Sequence, residues 1–538
     1  MYHRDACAHH ITTDITPHLD VCVVARACAE RNSLGTDATS MAAASLFIFT
    51  FGAAASSRTD DVLLWARHTE ESIYEHVSYS DGAFLLSNFN GPPATAELMP
   101  AAKAAGPLWT WSSPLNNAGV SIDGVVVTAS NSVARAGLAL AYVDLKASAI
   151  AVGWPAGNST SNRTSFSYET KMPYGNVTRL ALSAHHHVTC HESPGAPARL
   201  LLRNATTGAM DAGDSLPPGI RQCGGASQRL RATGTSMVAA AIAGAKQRKL
   251  TRVAIAPKLE PDLYAGDGLV IATQRDDGNG NISMDMEDLS SWVERTADGK
   301  FVNALAMDPS GRWTAFADNT GLKLVEPAGG GWSLPNLIWG DNPPPAKAVP
   351  QAIGWAADGS VLGVAYAIDP DAGPVGPSWQ LSVVVAYAWP PKIDATSGDP
   401  IMRELARHEL RCYAELLPFP SSIHVTDGGE AVVAGLWGCS NGTGTGRDNP
   451  TSQTAVVLPV PGGRGRHASA GKLGGGARVL GTNGTVYAVA AHAVVRWPQH
   501  VEARREDEVD VIVALAGKRT HAEVPGRGGF AEAWRLRL

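Results

Sequence analysis

An all-β fold is what this sequence predicts, and three observations carry the prediction. The 538 residues hold 56 glycines and 34 prolines, with 44% hydrophobic residues and only 17% charged ones. That balance belongs to many short strands joined by tight turns rather than to long helices or a disordered chain. The apolar runs alternate with period two instead of the helical 3.6, and a hairpin-like pattern recurs along the chain.

The recurring unit is an alternating segment, a turn centred on Asp-Gly or Ser-Gly, and a second alternating segment. It reads HVSYSDGAFLLSNF around Gly82, GVSIDGVVVTAS around Gly124, ALAMDPSGRWTAFAD around Gly311, AIGWAADGSVLGVAYA around Gly359, SIHVTDGGEAVVAGLW around Gly428 and VLGTNGTVYAVAA around Gly484. Weaker copies are LALSAHHHVTC, where His185 to His187 replace the turn, and LRATGTSMVAAAIAG around Gly234. Each reads as a β-hairpin whose turn residues tolerate positive φ. Several copies are followed by a third apolar strand, as in GLKLVEPAGGGW, LSVVVAYAWPP and TAVVLPVPGG, so three or four strands make one unit. The turns lie 42 (Gly82 to Gly124) to 77 (Gly234 to Gly311) residues apart, around the spacing of propeller blades. The expectation is a single β-propeller of about seven or eight blades over residues 60–538. The last segments, EVDVIVALAG and AEAWRLRL, are expected to supply a closing strand for the first or last blade. The tryptophans, among them Trp65, Trp109, Trp339, Trp389, Trp437 and Trp497, read as packing between blades.

In this repeat grammar the chain resembles the WD40-like and quinoprotein-like propeller superfamily. It departs from those patterns in having no Trp-Asp dipeptide at the blade ends, no vicinal Cys-Cys pair and no repeated tryptophan docking motif.

Ahead of the repeats, Met41 to Ala55 read MAAASLFIFTFGAAA: an apolar centre followed by small residues, as in a secretory signal peptide cleaved near Ser56. The stretch is shorter than the roughly 20 residues of a spanning helix. Residues 1–40 are then expected to be an extension upstream of the native start, or disordered. A secretory address agrees with seven Asn-X-Ser/Thr sequons, at Asn158, Asn162, Asn176, Asn204, Asn281, Asn441 and Asn483, where chance gives about 2.5. It agrees also with the cysteines. Three of seven lie upstream, leaving Cys190, Cys223, Cys412 and Cys439. Pairing by proximity joins Cys190 to Cys223 and Cys412 to Cys439, each bond contributing about 3 kcal/mol, although four cysteines allow three connectivities.

Two constellations are candidates for metal binding. Asp277, Asn279, Asn281 and Asp285 place oxygens at positions 1, 3, 5 and 9 of a Ca²⁺-type loop. Ile282 stands where such loops turn on a glycine, and Asn281 is also a sequon, so a polar hairpin tip is the competing reading. His185 and His187, two apart on a strand, share a face and are spaced to hold a metal, against a solvent-facing histidine-rich loop. The basic residues Lys246, Arg248, Lys249, Arg252 and Lys258 read as a solvated face. With a net charge of −6, nucleic acid is excluded as a partner.

No nucleophile elbow, phosphate-binding Gly-Lys-Ser/Thr loop or His-Glu-X-X-His helix occurs. The leading function is therefore a secreted or luminal glycosylated module, a monomer with no membrane span after cleavage, that binds a protein or glycan ligand through loops on a rigid scaffold. The alternative is a secreted metal-dependent, lactonase-like hydrolase, with Ca²⁺ the cofactor to expect. Its mark would be carboxylates and imidazoles converging on the central channel. An intracellular WD40-type scaffold is the third reading.

Overall fold

The computed structural model describes residues 61–70, 73–80, 82–89, 95–112, 125–128, 137–141, 149–155, 164–171, 176–182, 186–192, 195–204, 210–222, 241–244, 251–259, 267–276, 282–296, 299–300, 302–368, 378–414, 420–436, 452–462, 476–482, 484–495, 509–519 and 528–538. Among these the only helical element is a single 3₁₀ turn, Ser290–Trp292. None is a helix long and apolar enough to cross a membrane.

Among the described residues, 32 of the 39 strands fall into eight four-stranded antiparallel sheets, and the other seven form two two-stranded ribbons and one three-stranded sheet with a parallel pair. Sheet 1 starts with Ile73–Ser80, sheet 2 with Val125–Thr128, sheet 3 with Asn176–Leu182 and sheet 4 with Ala241–Gly244. Sheet 5 starts with Val302–Met307, sheet 6 with Ala348–Trp355, sheet 7 with Pro420–Val425 and sheet 8 with Gly484–Val495. Sheets 1 to 7 are meanders that run outward in chain order. Sheet 8 takes its next two strands, Val509–Arg519 and Gly529–Arg537, from the end of the chain and its outermost strand, Val62–Thr69, from the start. The C-terminal segments expected to close the structure are thus interior strands, and the closing strand is N-terminal. Strand Gly529–Arg537 is buried over its first five residues, and Val62–Thr69 pairs with the N–H and C=O groups of what would otherwise be an open edge.

The first strand of each sheet lies against the first strand of the next, and that of sheet 8 lies against that of sheet 1. No hydrogen-bonded sheet closes on itself among the described residues; the succession closes by packing. Each core sits between two neighbours: Leu362, Val364 and Tyr366 with Ala315 and Leu324 between sheets 5 and 6, Val361, Ala365 and Val384 with Val432 and Val456 between 6 and 7, Val433 and Val457 with Val489 and Val513 between 7 and 8. Side chains of one strand alternate between the two flanking cores, so strands such as Val361–Ile368 are buried throughout. They read as continuous apolar runs because both faces are covered. Trp313 of the sheet 5 hairpin meets Trp389 of sheet 6 edge-on at 5.8 Å, packing between sheets as the sequence implied for Trp389, and within sheet 6 Trp389 meets Trp355 at 5.2 Å.

The hairpin signals translate into one repeated turn. In sheets 5, 6 and 7 the N–H groups of Asp308, Ala356 and Thr426 donate to the carbonyls of Trp313, Val361 and Ala431, and those of Gly311, Gly359 and Gly429 donate back to Asp308, Ala356 and Thr426. Gly311 and Gly359 adopt φ of 72° and 73°, which only glycine takes without strain. In sheet 7 the positive φ falls on Gly429 rather than Gly428. The Gly484 hairpin is corrected: Arg478–Thr482 is the outer strand of sheet 7 and Gly484 opens sheet 8. A link between sheets carries the same turn-plus-alternation signature as a hairpin. The turns at Gly124 and Gly234 fall partly or wholly outside the described residues.

Arg252 is corrected as well. It is half-buried between sheets 4 and 5, donating Nη1 to the Gly311 carbonyl at 2.7 Å and lying 5.3 Å from the Trp332 ring centre, which is packing rather than a solvated face. Lys246, Arg248 and Lys249 lie outside the described residues.

Closure is keyed by polar contacts. Trp65 donates Nε1 to the Pro100 carbonyl of sheet 1 at 2.8 Å. The Arg67 guanidinium grips both carboxylate oxygens of the nearly buried Glu97 at 2.9 and 3.0 Å, and beside them burial and the Glu97 charge hold the Tyr74 hydroxyl far above its ordinary range. Removing Arg67 leaves a carboxylate buried without its counter-charge, which is costlier than removing both. Arg67→Met is therefore expected to lower the unfolding free energy in urea by about 2 kcal/mol, and the double variant Arg67→Met/Glu97→Gln to recover part of that. A double variant less stable than the single one contradicts this account.

Candidate functional site

The buried polar groups divide into those the fold satisfies and those it does not. Asp318, fully enclosed, accepts from Lys323 at 2.7 Å, from Thr320 at 2.6 Å and from the Glu294 N–H at 3.1 Å; these bonds outweigh its burial and hold its carboxyl below the usual range. Tyr366 and Tyr387 share a hydroxyl–hydroxyl bond of 3.1 Å inside sheet 6, and burial pushes Tyr387 up to about 12. Both sets are internally complete and read as structure.

The imidazoles on the first strands of sheets 7 and 8 are different. His424 is the penultimate residue of Pro420–Val425, and His492 stands near the end of Gly484–Val495. These strands run parallel side by side: the Val489 N–H donates to Ser422 Oγ at 3.3 Å, and two residues further along His424 donates to the Ala491 carbonyl. Nε2 of His424 is shut off from solvent and has no partner, so Nδ1 is the donor and Nε2 carries a bare lone pair. His492, one residue on, points to the other side of its strand. Its ring stacks on Tyr79 of sheet 1 at 4.3 Å and 13°, and its Nδ1 is likewise enclosed and without a partner. Tyr79 is pinned in turn, its hydroxyl accepting the Gly82 N–H at 3.0 Å.

Two carboxylates act on this pair. Asp427 sits in the turn directly after His424 and attracts protons to both rings; Glu430, held by Thr426 Oγ1 at 2.7 Å, does so for His492. Burial outweighs both, and the His424–His492 proximity adds to it, so each imidazole titrates below the ordinary histidine value. The result is two neutral rings from adjacent strands, each with an unused nitrogen, beside a third strand's phenol. Such a pair can accept hydrogen bonds from hydroxyl or amide donors, or take a proton from a reacting group. A cluster of three or more metal-ligating side chains is not found among the described residues.

The residues singled out from sequence stand elsewhere. Asp277, Asn279 and Asn281 lie outside the described residues, while Asp285 sits within strand Ile282–Asp288, opposite Thr273 and ion-paired with Arg275. His185 lies outside them; His187 stands on strand His186–Glu192 between Leu182 and Arg203. Cys190 and Cys412 take places in strands, whereas Cys223 and Cys439 are not described. Of the sequons, Asn176 opens a strand and Asn204 ends one; Asn158, Asn162, Asn281, Asn441 and Asn483 lie outside the described residues.

No protein-family model matches the chain, and no curated protein matches it. Among solved structures it is similar to a quinohemoprotein alcohol dehydrogenase from Pseudomonas putida, at 11% identity and a TM-score of 0.44, over 88% of this chain and 76% of that one. It is similar also to prolyl oligopeptidase B from Galerina marginata, at 9% and 0.42 over 84% and 55%, and to a putative 6-phosphogluconolactonase from Bacteroides uniformis, at 12% and 0.36 over 77% and 96%. The chain spans about half the length of the prolyl peptidases it matches. Likeness at this level carries nothing about activity.

The neutral imidazoles set a pH dependence. A histidine whose pKa is depressed in the folded state takes up its proton first when unfolded, so its contribution is fully present above the unfolded value of about 6.5 and is lost as pH falls from there toward the folded one. Stability is expected to decline below pH 6.5 by up to roughly 1.4 kcal/mol per unit for each such ring. Thermal unfolding midpoints of the wild type and His424→Gln between pH 8 and 5 check this, the variant giving the flatter profile. Parallel profiles contradict it.

Proposed function

We propose that the eight sheets are the blades of an eight-bladed β-propeller, and that the chain is a ligand-binding module of the secretory pathway whose ligand is held where the first strands of sheets 7, 8 and 1 meet. The observation that carries the reading is the pair of enclosed, partnerless nitrogens, Nε2 of His424 and Nδ1 of His492. A buried acceptor left without a donor costs about 1–3 kcal/mol, and a donor group of a bound molecule recovers it. A glycan hydroxyl or a peptide amide supplies such a donor. The test uses glycan and peptide arrays probed with wild-type protein and with His492→Gln and His424→Gln. A wild-type signal that falls at least tenfold in both variants supports the reading, and equal signals reject it.

A hydrolytic reading of the same site has one observation in its favour: His424 and His492 stand on the first strands of neighbouring sheets, and in the turn after the first of these strands Asp427 acts on both rings and Glu430 on His492. There a neutral His492 takes the proton of an attacking water. A panel of lactones and aryl esters followed by acid release separates the two. Turnover that drops at least a hundredfold in His492→Gln, with array binding retained, favours the enzyme.

The secretory address is proposed on the Met41–Ala55 segment and the seven sequons. Intact mass and peptide mapping of protein from its own source, with and without glycosidase and reductant, are expected to give an N-terminus near Ser56, occupied asparagines and two disulfides. A start at Met1 with bare asparagines and free thiols assigns the chain to the cell interior instead.

A further inference from the structure

Among the described residues, enclosed side-chain atoms without a hydrogen-bond partner recur at one end of the sheets, the end that carries the turns joining first and second strands. They fall on five successive seams. Between sheets 4 and 5 they are Arg252 Nε, whose Nη1 reaches the Gly311 carbonyl of the sheet 5 turn, and Thr314 Oγ1, on the residue that leaves that turn. Thr314 stands opposite Met307, which belongs to the core between those two sheets. Between sheets 5 and 6 the atom is Trp355 Nε1, on the last residue of its strand. Between 6 and 7 it is Ser360 Oγ, at the end of the sheet 6 turn, so near the sheet 7 turn that a Cβ on Gly429 would lie 2.6 Å from it. His424 Nε2 and His492 Nδ1 continue the series between 7 and 8 and between 8 and 1. Others, on Gln274, Ser382 and His408, stand on third and fourth strands. Each enclosed polar atom without a partner carries a free-energy cost that calls for an occupant. Here the call is repeated at the same height from seam to seam, so one extended molecule can answer all of them.

We propose that the turn end of sheets 4 to 8 is a track for a linear neutral glycan, which runs across the seams and ends at the His424–His492 pair; the proposal rests on the ligand-binding reading above and gives that ligand its class. Three features select it. The first is the set of demands. Arg252 Nε and Trp355 Nε1 only donate, His424 Nε2 accepts, and Thr314, Ser360 and the His492 ring serve in either role. A sugar hydroxyl answers every one of these, because it both donates and accepts, whereas a peptide strand offers N–H and C=O in fixed alternation. The second is charge. The charged residues in the turns of sheets 6 and 7 are all carboxylates, Asp358, Asp427 and Glu430, which accept from hydroxyls and repel sulfated or uronic chains. The third is apolar surface beside the polar atoms. Trp355 stands edge-on to Trp389, and Trp389 edge-on to Trp313, the aromatic company that suits a sugar ring with one apolar face. Arg252, Trp355, Ser360, His424 and His492 are half-buried residues, so each keeps part of itself at the surface while its unpartnered atom is covered.

The test is calorimetric titration of the full chain with linear oligomers of glucose, mannose and N-acetylglucosamine, each from two to six sugar residues long. In at least one series the affinity is expected to rise tenfold or more from dimer to hexamer. Trp355→Phe, which keeps an aromatic ring and removes the N–H, and Ser360→Ala are each expected to cut the ratio of hexamer to dimer affinity at least threefold, whereas His492→Gln weakens the dimer as well. Urea unfolding of each variant along the wild-type curve separates lost binding from lost folding. Affinity that does not grow with length overturns the track. So does a length dependence that Trp355→Phe and Ser360→Ala leave intact, because each seam then holds only trapped water. So does the absence of binding in all three series. The glycan and peptide arrays described above tell which idea failed: a peptide or acidic-glycan signal that falls in His424→Gln and His492→Gln sinks the neutral glycan alone, whereas array signals equal in wild type and both variants sink the ligand site with it.

Discussion

Strand Gly529–Arg537 would present an open edge of N–H and C=O groups if the chain ended there, and the segment that covers it lies at the other end of the sequence. Pairing Val62–Thr69 onto that edge is the constraint on which the rest of the arrangement depends. Gly529 and Thr69, joined by a 2.9 Å bond, are 460 residues apart. Bringing such distant positions together costs roughly 5 kcal/mol by the logarithmic law for loop closure, less than the burial of the strand's Leu64 and Trp65 together with seven register pairs can supply. The contacts keyed to this strand are accordingly directional ones: Trp65 to Pro100, Arg67 to Glu97 and Glu70 to Arg519 at 2.6 Å. Apolar burial makes the strand stick, while these fix its register.

The same constraint explains how the cores are divided. Each four-stranded sheet is covered on both faces by its neighbours, so central strands such as Val361–Ile368 and Ala431–Leu436 are buried throughout, and each core cluster belongs to one interface. Close approach then demands small residues at particular points. A Cβ on Gly363 would sit 2.9 Å from Val425 and 3.0 Å from Val432 of the next sheet, distances that real side chains do not tolerate. In this architecture alanine and glycine in strands, weak strand formers by themselves, mark where two sheets come nearest.

How much of this the sequence carried follows from the range of each signal. The turns at Gly82, Gly311 and Gly359 were legible because positive φ and period-two alternation are written within a dozen residues. Gly484 misled because a link between sheets uses the same residues as a link within one. The imidazole site was not legible: Tyr79, His424 and His492 come from three separate repeats, whereas His185 to His187 caught the eye by lying together in the chain. A faint local cue existed. Tyr79 and His424 both precede their Asp-Gly turn by two or three residues, in YSDG and HVTDG, which places both at the same height on the first strand of their sheets. Position within the repeat, not density along the chain, is what brings side chains together in such a fold.

Closure and site are, finally, the same piece of geometry. His492 belongs to the last sheet and Tyr79 to the first, and their stacked rings meet only because the succession of sheets comes round on itself. The closing strand stands on the outer edge of sheet 8, three strands away from His492. Its effect on the site is therefore indirect, through the core in which Ala490 and Ala514 of sheet 8 pack against Val77 and Phe84 of sheet 1. Loosening the seam separates Tyr79 from His492, exposes Nδ1 to water and removes the desolvation that keeps the ring neutral. The cost of leaving that nitrogen bare is sustained by the apolar interface around it, so the chemistry available at the site is set by how tightly the two ends of the chain are joined.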